Sequence, residues 1–221
     1  MDEAHALREH WASRAARAGH YPVGGMRRSS TGSPPAARYV AELDEFRKQK
    51  DEFFATSPQS PIPRELRASG FTGLRYYPPD LTYRIEAQCV PFEMPEIVPL
   101  GTTQGEIRQH LRYAELRFTI IGEDCRLIAF KPVDDPQTQE LFVPFRDATS
   151  GGETYGAGRY VEAEDEHADQ GGASHTVILD FNLAYSPWCA YSAAYSCTLP
   201  PAENRLAIPI MAGELLFPID H

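Results

Sequence analysis

Residues 112–121, RYAELRFTII, decide the fold class because apolar and polar side chains alternate along them. Every second residue from Ala114 to Ile120 is apolar, and the residues between them are polar or charged. An alternation with a period of two predicts a strand that has one buried face and one face in water. Residues 82–90, TYRIEAQCV, show the same alternation. The two segments together predict a half-buried antiparallel sheet.

Turn-forming residues separate further short strands along the chain. The 221 residues include 19 Pro and 16 Gly, a content that favours a β-rich architecture over a helical bundle. Residues 122–124, GED, predict the turn of a hairpin after the first stretch. Further strands are predicted at residues 94–99, 125–131, 140–145, 157–161, 175–182 and 206–211. The pattern predicts a mainly β (α+β) fold, an antiparallel β-sandwich or barrel of about eight short strands with two N-terminal helices packed outside.

Two helices are predicted ahead of the strands. Residues 2–18 form the first helix, and a linker that contains Gly and Pro follows it. The second helix begins at its predicted N-cap, Ser33, and presents Tyr39, Val40, Leu43, Phe46, Lys50, Phe53 and Phe54 at helical spacing. Its other face, which includes Arg47, is expected in solvent. We therefore predict an N-terminal helix and linker over residues 1–35 and a single β-rich domain with a leading helix over residues 36–221.

Composition and charge narrow the classes of partner. The formal net charge is −10, whereas proteins that bind nucleic acids present a basic surface, so we expect no nucleic-acid partner. Because the sequence contains no run of about 18 apolar residues, we expect no membrane-spanning helix. The charged start, MDEAHALREHW, lacks the apolar core of a signal peptide and predicts a cytoplasmic protein. Its four cysteines are then expected to be reduced.

The stretch over residues 179–214, LDFNLAYSPWCAYSAAYSCTLPPAENRLAIPIMAGE, is the strongest candidate for a functional site. It concentrates polar and aromatic groups in a segment with little periodicity. Asp180 and Asn182 fall on the same face of a predicted strand, and a buried carboxylate there requires a partner or belongs to a site. Arg159 and Arg205 are the candidate partners. The aromatic side chains could line a pocket or pack the loop onto the sheet.

A second candidate segment is TSGGETYGAGRY, residues 149–160, whose glycines allow close approach of a ligand or of another strand. Arg159 could bind a carboxylate or phosphate, or it could pair with a nearby carboxylate of the chain. Because the segment has neither phosphate-loop nor dinucleotide spacing, we expect no cofactor. The predicted ligand-binding residues of the two segments are Tyr155, Arg159, Asp180, Asn182, Tyr185, Tyr191, Glu203, Asn204 and Arg205.

The cysteine spacing does not predict a metal site. Cys189 and Cys197 are eight residues apart, whereas zinc fingers use closer pairs together with a second pair or two histidines. The other candidate ligands are Cys89, Cys125, His167 and His175. They would complete a set only through tertiary structure, so we predict no metal site. A reducing compartment disfavours a disulfide between Cys189 and Cys197, and a Cys189 nucleophile with His175 as its base is a further possibility.

Four motifs occur in a fixed order: KDEFF at residues 50–54, FTGLRYYPPD at 71–80, FRDATSGGETYGAGRY at 145–160, and the stretch at 179–214. This order resembles a bacterial and archaeal family known as domain of unknown function 1684, over roughly residues 40–221. The resemblance implies a mainly β domain of about this length, from a bacterial or archaeal source, and it implies no established activity.

The residues leave three functions open. The favoured one is a small-molecule-binding β-domain with a polar and aromatic pocket built from residues 149–160 and 180–205. The second is an enzyme of hydrolase or lyase type that acts on a small polar or anionic metabolite, with Asp180 or Glu203 as acid or base. In the third, the motifs are purely structural, and Arg159 forms a buried pair with Asp180.

Overall fold

The computed structural model describes residues 36–167 and 172–218, and both the predicted helix over residues 2–18 and Ser33 lie outside them. The elements are α1 (Ala36–Thr56), α2 (Arg64–Ala68), β1 (Arg84–Gly101), β2 (Ile107–Ile120), β3 (Glu123–Pro132), β4 (Glu140–Phe145), β5 (Arg159–Glu164) and β6 (His175–Asp180). Within this part of the chain, no helix combines the length and the apolarity needed to cross a bilayer.

The six strands form one antiparallel sheet in the order β5-β4-β3-β2-β1-β6. The sheet curls into a half-barrel, and the chain that leaves one edge strand reaches the other. Tyr185, which follows β6, exchanges two backbone hydrogen bonds of 2.9 Å with Tyr160 of β5. The mainly β, antiparallel prediction is confirmed, but the structure has six strands in a half-barrel where the sequence predicts about eight in a sandwich or barrel.

The long strand β1 accounts for one of the missing strands. It joins the predicted strands at 82–90 and 94–99, because its pairing with β2 resumes after an irregularity between Pro91 and Glu96. Proline has no N–H to give to the ladder, so a bulge here costs few hydrogen bonds.

The predicted strand at 206–211 is absent from the sheet. This segment runs beside the chain that follows β4, where the Leu206 N–H donates to the Arg146 carbonyl at 2.8 Å and the Ala148 N–H donates to the Ile208 carbonyl at 3.1 Å. Pro209 cannot donate the next bond, so the pairing does not extend into a ladder.

The hairpin between β2 and β3 closes one residue earlier than the sequence predicts. Ile120 pairs with Glu123, so the turn consists of Ile121 and Gly122. Both have positive φ, 54° and 78°, as a type I′ turn requires. β-branched residues rarely adopt positive φ, but Ile121 does so here. The turn therefore starts one residue before the predicted turn at 122–124.

Two apolar clusters lie on opposite faces of the sheet. The alternating residues of β1 and β2, together with inward residues of the other strands, form the first: Ile85, Ala87, Cys89, Ala114, Leu116, Phe118, Leu127, Val143, Val161, Val177 and Leu179. The second holds α1 against the sheet and the chain after β6: Tyr39, Leu43, Phe46, Phe54, Tyr160, Leu183, Tyr185 and Tyr191. Tyr160 and Val161 fall in different clusters, as alternation along a strand requires.

The helix α1 buries two cations. The expectation that Arg47 lies in solvent is wrong, because it is 9% exposed and its guanidinium carbon lies 4.5 Å from the centre of the Tyr76 ring. Burial lowers the pKa of Arg47 below its ordinary value. Lys50, which breaks the apolar pattern of the helix, is 1% exposed and faces the C-terminal segment.

Candidate functional site

Lys50 meets a carboxylate that the sequence places 164 residues away. Its ammonium group donates to Glu214, and the same carboxylate accepts from the Tyr191 hydroxyl and from the Ser186 N–H at 2.8 Å. The two charged side chains are each 2% exposed. A buried ion pair is tolerated when further hydrogen bonds satisfy it, and this carboxylate has them. Burial, followed by the nearby Glu214 charge, raises the pKa of Tyr191 well above its ordinary value.

A glycine positions Glu214. Gly213 has a φ of +78°, and a Cβ at this residue would lie 2.4 Å from the Ala184 carbonyl oxygen. The Glu214 N–H donates to that same oxygen at 2.9 Å. Only glycine allows this close approach, so the AGE motif over residues 212–214 serves to place the carboxylate.

Arg159 binds the C-terminal segment and the nearby carboxylate of Asp147. It is fully buried and donates through Nη2 to Asp147 at 2.8 Å. Its remaining bonds go to the carbonyl oxygens of Ile210, Ala212 and Glu214. The interpretation of Arg159 as the partner of a nearby carboxylate is confirmed, and its predicted pairing with Asp180 is wrong. We call Lys50, Asp147, Arg159, Tyr191 and Glu214 the C-terminal network.

Asp180 is held by other residues. Its carboxylate accepts from the Tyr39 hydroxyl at 2.9 and 3.0 Å and from the Asn182 N–H at 3.0 Å, and Arg84 Nε lies 3.7 Å away. Arg84 therefore takes the place of the predicted partners Arg159 and Arg205. Burial raises the pKa of Asp180 above 3.8, and the hydrogen bonds from Asn182 and Tyr39 only partly offset this effect.

The Asn204 side chain supplies hydrogen bonds to backbone groups of β3 and β4 where the ladder between these strands is interrupted. Its side chain accepts from the Ile128 N–H at 2.7 Å and donates to the carbonyls of Ile128 and Pro144, both at 2.8 Å. Pro144 has no N–H, so β4 cannot supply these bonds itself. Asn204, a predicted ligand-binding residue, therefore has its side-chain oxygen and nitrogen occupied by backbone groups of β3 and β4.

The remaining predicted site residues are not gathered in one place. Glu203 is exposed and pairs with Arg112 at 3.0 Å, and Arg205 is exposed. Tyr185 donates to Glu162 at 2.6 Å, and Asn182 donates to the Asp80 carbonyl at 2.7 Å. The predicted set therefore consists largely of buried groups that the chain itself satisfies.

The loop after β6 contains a pair of neighbouring thiols. The Cys189 N–H lies 3.2 Å from Cys197 Sγ, and the Tyr155 hydroxyl lies 3.6 Å from Cys189 Sγ. A hydrogen bond from Cys197 lowers the pKa of Cys189 to about 7. The predicted catalytic partner of Cys189, His175, instead lies opposite Cys89 across β1 and β6.

Cys89 belongs to a group of side chains that the sequence pattern does not identify. Ligand atoms of Cys89, Asp165 and His175, which we call the Cys89 cluster, lie within 4.8 Å of one another. Cys89 and Asp165 are fully buried, and burial raises the pKa of Cys89 to about 12. The expectation that the histidines and Cys89 do not form a set overlooks Asp165, which directly follows β5 and has no motif around it.

A groove of about 770 Å³ lies on the surface beside α2. Its walls come from the end of α1, the α1–α2 turn, α2 and the loop after β6. They include Pro61, Ile62, Arg64, Arg67, Ser192 and Tyr195. We call this the α2 groove. Of the predicted ligand-binding segments, only the tip of the 180–205 loop contributes to it.

Comparisons with known proteins place the chain among proteins of unknown activity. Residues 69–215 match the family described as Protein of unknown function (DUF1684). The solution NMR structure of an uncharacterized protein from Haloarcula marismortui is 44% identical, with a TM-score of 0.62, and the match covers 81% of this chain and 95% of that chain. A search of curated proteins gave no significant match. Because the family match spans the whole sheet and every residue of the C-terminal network except Lys50, the chain belongs to the DUF1684 family, as its motifs indicate.

Proposed function

We propose that this protein is a small-molecule-binding β-domain whose ligand occupies the α2 groove. The observation that carries the proposal is the groove itself, because its volume of about 770 Å³ falls in the range of ligand pockets in proteins. The proposal moves the binding site outward from residues 149–160 and 180–205, whose polar groups are largely hydrogen-bonded to other parts of the chain.

The lining of the α2 groove indicates the class of ligand. Ala55, Pro58 and Ala68 supply exposed apolar surface, and Arg64 supplies an exposed cation. Arg67 donates through Nη1 to the Ser57 carbonyl at 2.8 Å, which fixes its guanidinium, and its Nε has no hydrogen-bond partner among the described residues. A fixed guanidinium beside a second cation favours carboxylate or phosphate groups. We therefore expect a small anion that carries an apolar part.

The C-terminal network supports this function indirectly. It fixes the chain on both sides of the loop that supplies Ser192 and Tyr195 to the groove wall. A preorganised wall lowers the ordering cost of binding. The enzyme hypothesis has less support, because Asp180 is buried against Tyr39 and Glu203 is paired with Arg112 at the surface.

The test is a ligand titration of the full chain and of two matched variants. The probes are small carboxylates and phosphate monoesters with an apolar group. Binding is measured by the shift in melting temperature and by changes in the amide NMR chemical shifts. Arg64→Gln should weaken binding by at least about 10-fold, because a hydrogen bond to a charged group contributes about 1.5–3 kcal/mol.

Arg38→Gln is the control. Arg38 is an exposed cation at the other end of α1, roughly 25 Å away along the helix, and it pairs with Glu42. Its replacement should leave the affinity unchanged. Equal weakening by both variants, or a full panel of probes without any thermal shift, would contradict the proposal.

A further inference from the structure

We propose that the Cys89 cluster is a site for a divalent transition-metal ion of the zinc class, with Cys89, Asp165 and His175 as its protein ligands. The inference is independent of the ligand of the α2 groove. A thiolate sulfur, an imidazole nitrogen and a carboxylate oxygen are the three donor types that zinc uses in proteins. Three such ligands with a fourth position left open is also the pattern of catalytic zinc sites.

The cluster lies where the two edges of the half-barrel meet. Cys89 and His175 are direct partners across β1 and β6. Asp165 follows the last residue of β5, and its N–H is fixed by the Gln139 carbonyl at 2.7 Å. An ion bound here would therefore join three segments that are distant in sequence, including both edge strands of the sheet.

The imidazole of His175 has the orientation of a metal ligand. Its Nδ1 lies 2.9 Å from the Ala173 carbonyl oxygen, which can only accept, so Nδ1 carries the proton. In the neutral ring, Nε2 then presents its lone pair to the cluster. Nε2 is buried and lies 2.7 Å from Asp165 Oδ1, which is an ion-pair distance when the ring is protonated. A cation that enters the cluster would take the place of that shared proton between the two ligand atoms.

Further residues orient the two polar ligands. The Tyr113 hydroxyl donates to Asp165 Oδ2 at 2.9 Å, and Oδ1 accepts from the His167 N–H at 3.0 Å and also faces His175. The Ala173 carbonyl fixes the His175 tautomer. Such partners are typical of metal-binding carboxylates and histidines. A second imidazole, that of His167, lies beside the cluster with its ring centre 5.0 Å from that of His175.

A cysteine-protease type of triad does not fit the same residues. In such a triad, the histidine uses one nitrogen for the thiol and the other for the carboxylate. Here Asp165 faces Nε2 while Nδ1 is bound to Ala173. Cys89 is also fully buried, so a substrate could not reach its sulfur.

The local charge allows an ion of charge +2. Ionised Asp165 and a Cys89 thiolate balance it, so that the site with its metal ion is neutral. The nearby Lys131 favours the thiolate and Asp165 opposes it. Binding requires the thiol proton to leave, and about one proton per ion should therefore be released when the metal ion is added.

The experiment uses Co²⁺ and Zn²⁺ on the full chain after treatment with a chelator. One Co²⁺ per chain should give a sulfur-to-metal charge-transfer band in the near ultraviolet and visible bands of tetrahedral intensity. Added Zn²⁺ should displace the Co²⁺, and the charge-transfer band and the visible bands should then disappear. If Co²⁺ gives no charge-transfer band with the wild-type chain, the proposal is overturned. This test needs no variant.

Variants then assign the ligands. Cys89→Ser should abolish the charge-transfer band, and His175→Gln should weaken Zn²⁺ binding by at least about 100-fold, whereas Tyr113→Phe should weaken it about 10-fold. The control is Cys125→Ser, which should bind as the wild type does. A band that survives in Cys89→Ser but disappears in the Cys189→Ser, Cys197→Ser double variant would overturn the proposal, because it would place the ion at the other thiol pair.

Discussion

The C-terminal network and the Cys89 cluster are both buried and both contain ionisable side chains, but they use their polar atoms differently. In the network, the Glu214 carboxylate accepts three hydrogen bonds and Arg159 binds Asp147 and three carbonyls. In the cluster, Asp165 accepts from the Tyr113 hydroxyl and the His167 N–H and lies 2.7 Å from His175 Nε2, and Cys89 adds a third type of ligand atom to the same group.

The difference is the basis on which we propose that the cluster, and not the network, binds an ion. A buried charge that already has its partners stabilises the fold only if it stays paired, and it offers little to a ligand. The cluster brings together a thiol, a carboxylate and an imidazole, the donor types that zinc uses. The family motifs fall mainly in the first class, and this explains why they resemble a site in the sequence and yet form a framework.

The largest expected effect is that of Arg159→Ala. The change leaves Asp147 and three carbonyls without their donor in the interior, so the free energy of unfolding should fall by about 3–5 kcal/mol. Urea denaturation of the full chain measures it. Arg126→Ala, at a side chain that is 73% exposed on β3, is the control and should change it by less than about 0.5 kcal/mol. A loss below about 1 kcal/mol for Arg159→Ala would show that the network is not a framework.

A second test removes one charge of the buried pair. Lys50→Met should lower the free energy of unfolding by about 3 kcal/mol, because it strands the Glu214 carboxylate. Combining Lys50→Met with Glu214→Gln should recover part of this loss. Burying a neutral amide without a cation costs less free energy than burying a carboxylate without one. The double-mutant cycle should therefore show a coupling of at least about 1 kcal/mol. Additive losses would mean that the two charges do not stabilise each other.

The smallest effect is a change in pH dependence. Because burial raises the pKa of Asp180 above 3.8, the folded chain holds this proton more tightly than the unfolded chain does. The contribution of Asp180 to stability is therefore greatest below pH 3.8 and falls as pH rises through the raised pKa.

Replacing Asp180 with Asn removes that dependence. The stability of the wild type relative to Asp180→Asn should decline with rising pH in this window, as measured by urea denaturation at a series of pH values. Asp134→Asn, in the exposed turn after β3, serves as the control and should follow the wild type. A relative stability that increases with pH would mean that the Asp180 partners outweigh its burial.

The sequence predicts those parts of the fold that depend on local pattern. The alternation from Ala114 to Ile120 identifies a buried face, and the helical spacing from Tyr39 to Phe54 identifies α1. Strand number is less accessible, because a register shift joins two predicted strands in β1 and because the segment at 206–211 bonds to the chain after β4 instead of joining the sheet.

The sites are harder to predict because their partners are distant in sequence. Lys50 gives a local signal, since it interrupts an apolar face, but nothing near it points to Glu214. Asp165 gives no signal at all, because it lies in a charged turn with the composition of a solvated loop. Its role depends on the curl of the sheet, which brings β5 and β6 together.

The most direct test compares Arg159→Ala and His175→Gln, each unfolded by urea in chelator and in excess Zn²⁺. We predict that Arg159→Ala loses about 3–5 kcal/mol under both conditions. His175→Gln should lose less than Arg159→Ala does in chelator, because Asp165 keeps its hydrogen bonds from Tyr113 and from the His167 N–H, and it should lose the stabilisation that Zn²⁺ gives the wild type. A wild type that Zn²⁺ does not stabilise, or a His175→Gln loss in chelator as large as that of Arg159→Ala, would contradict the distinction between the two regions.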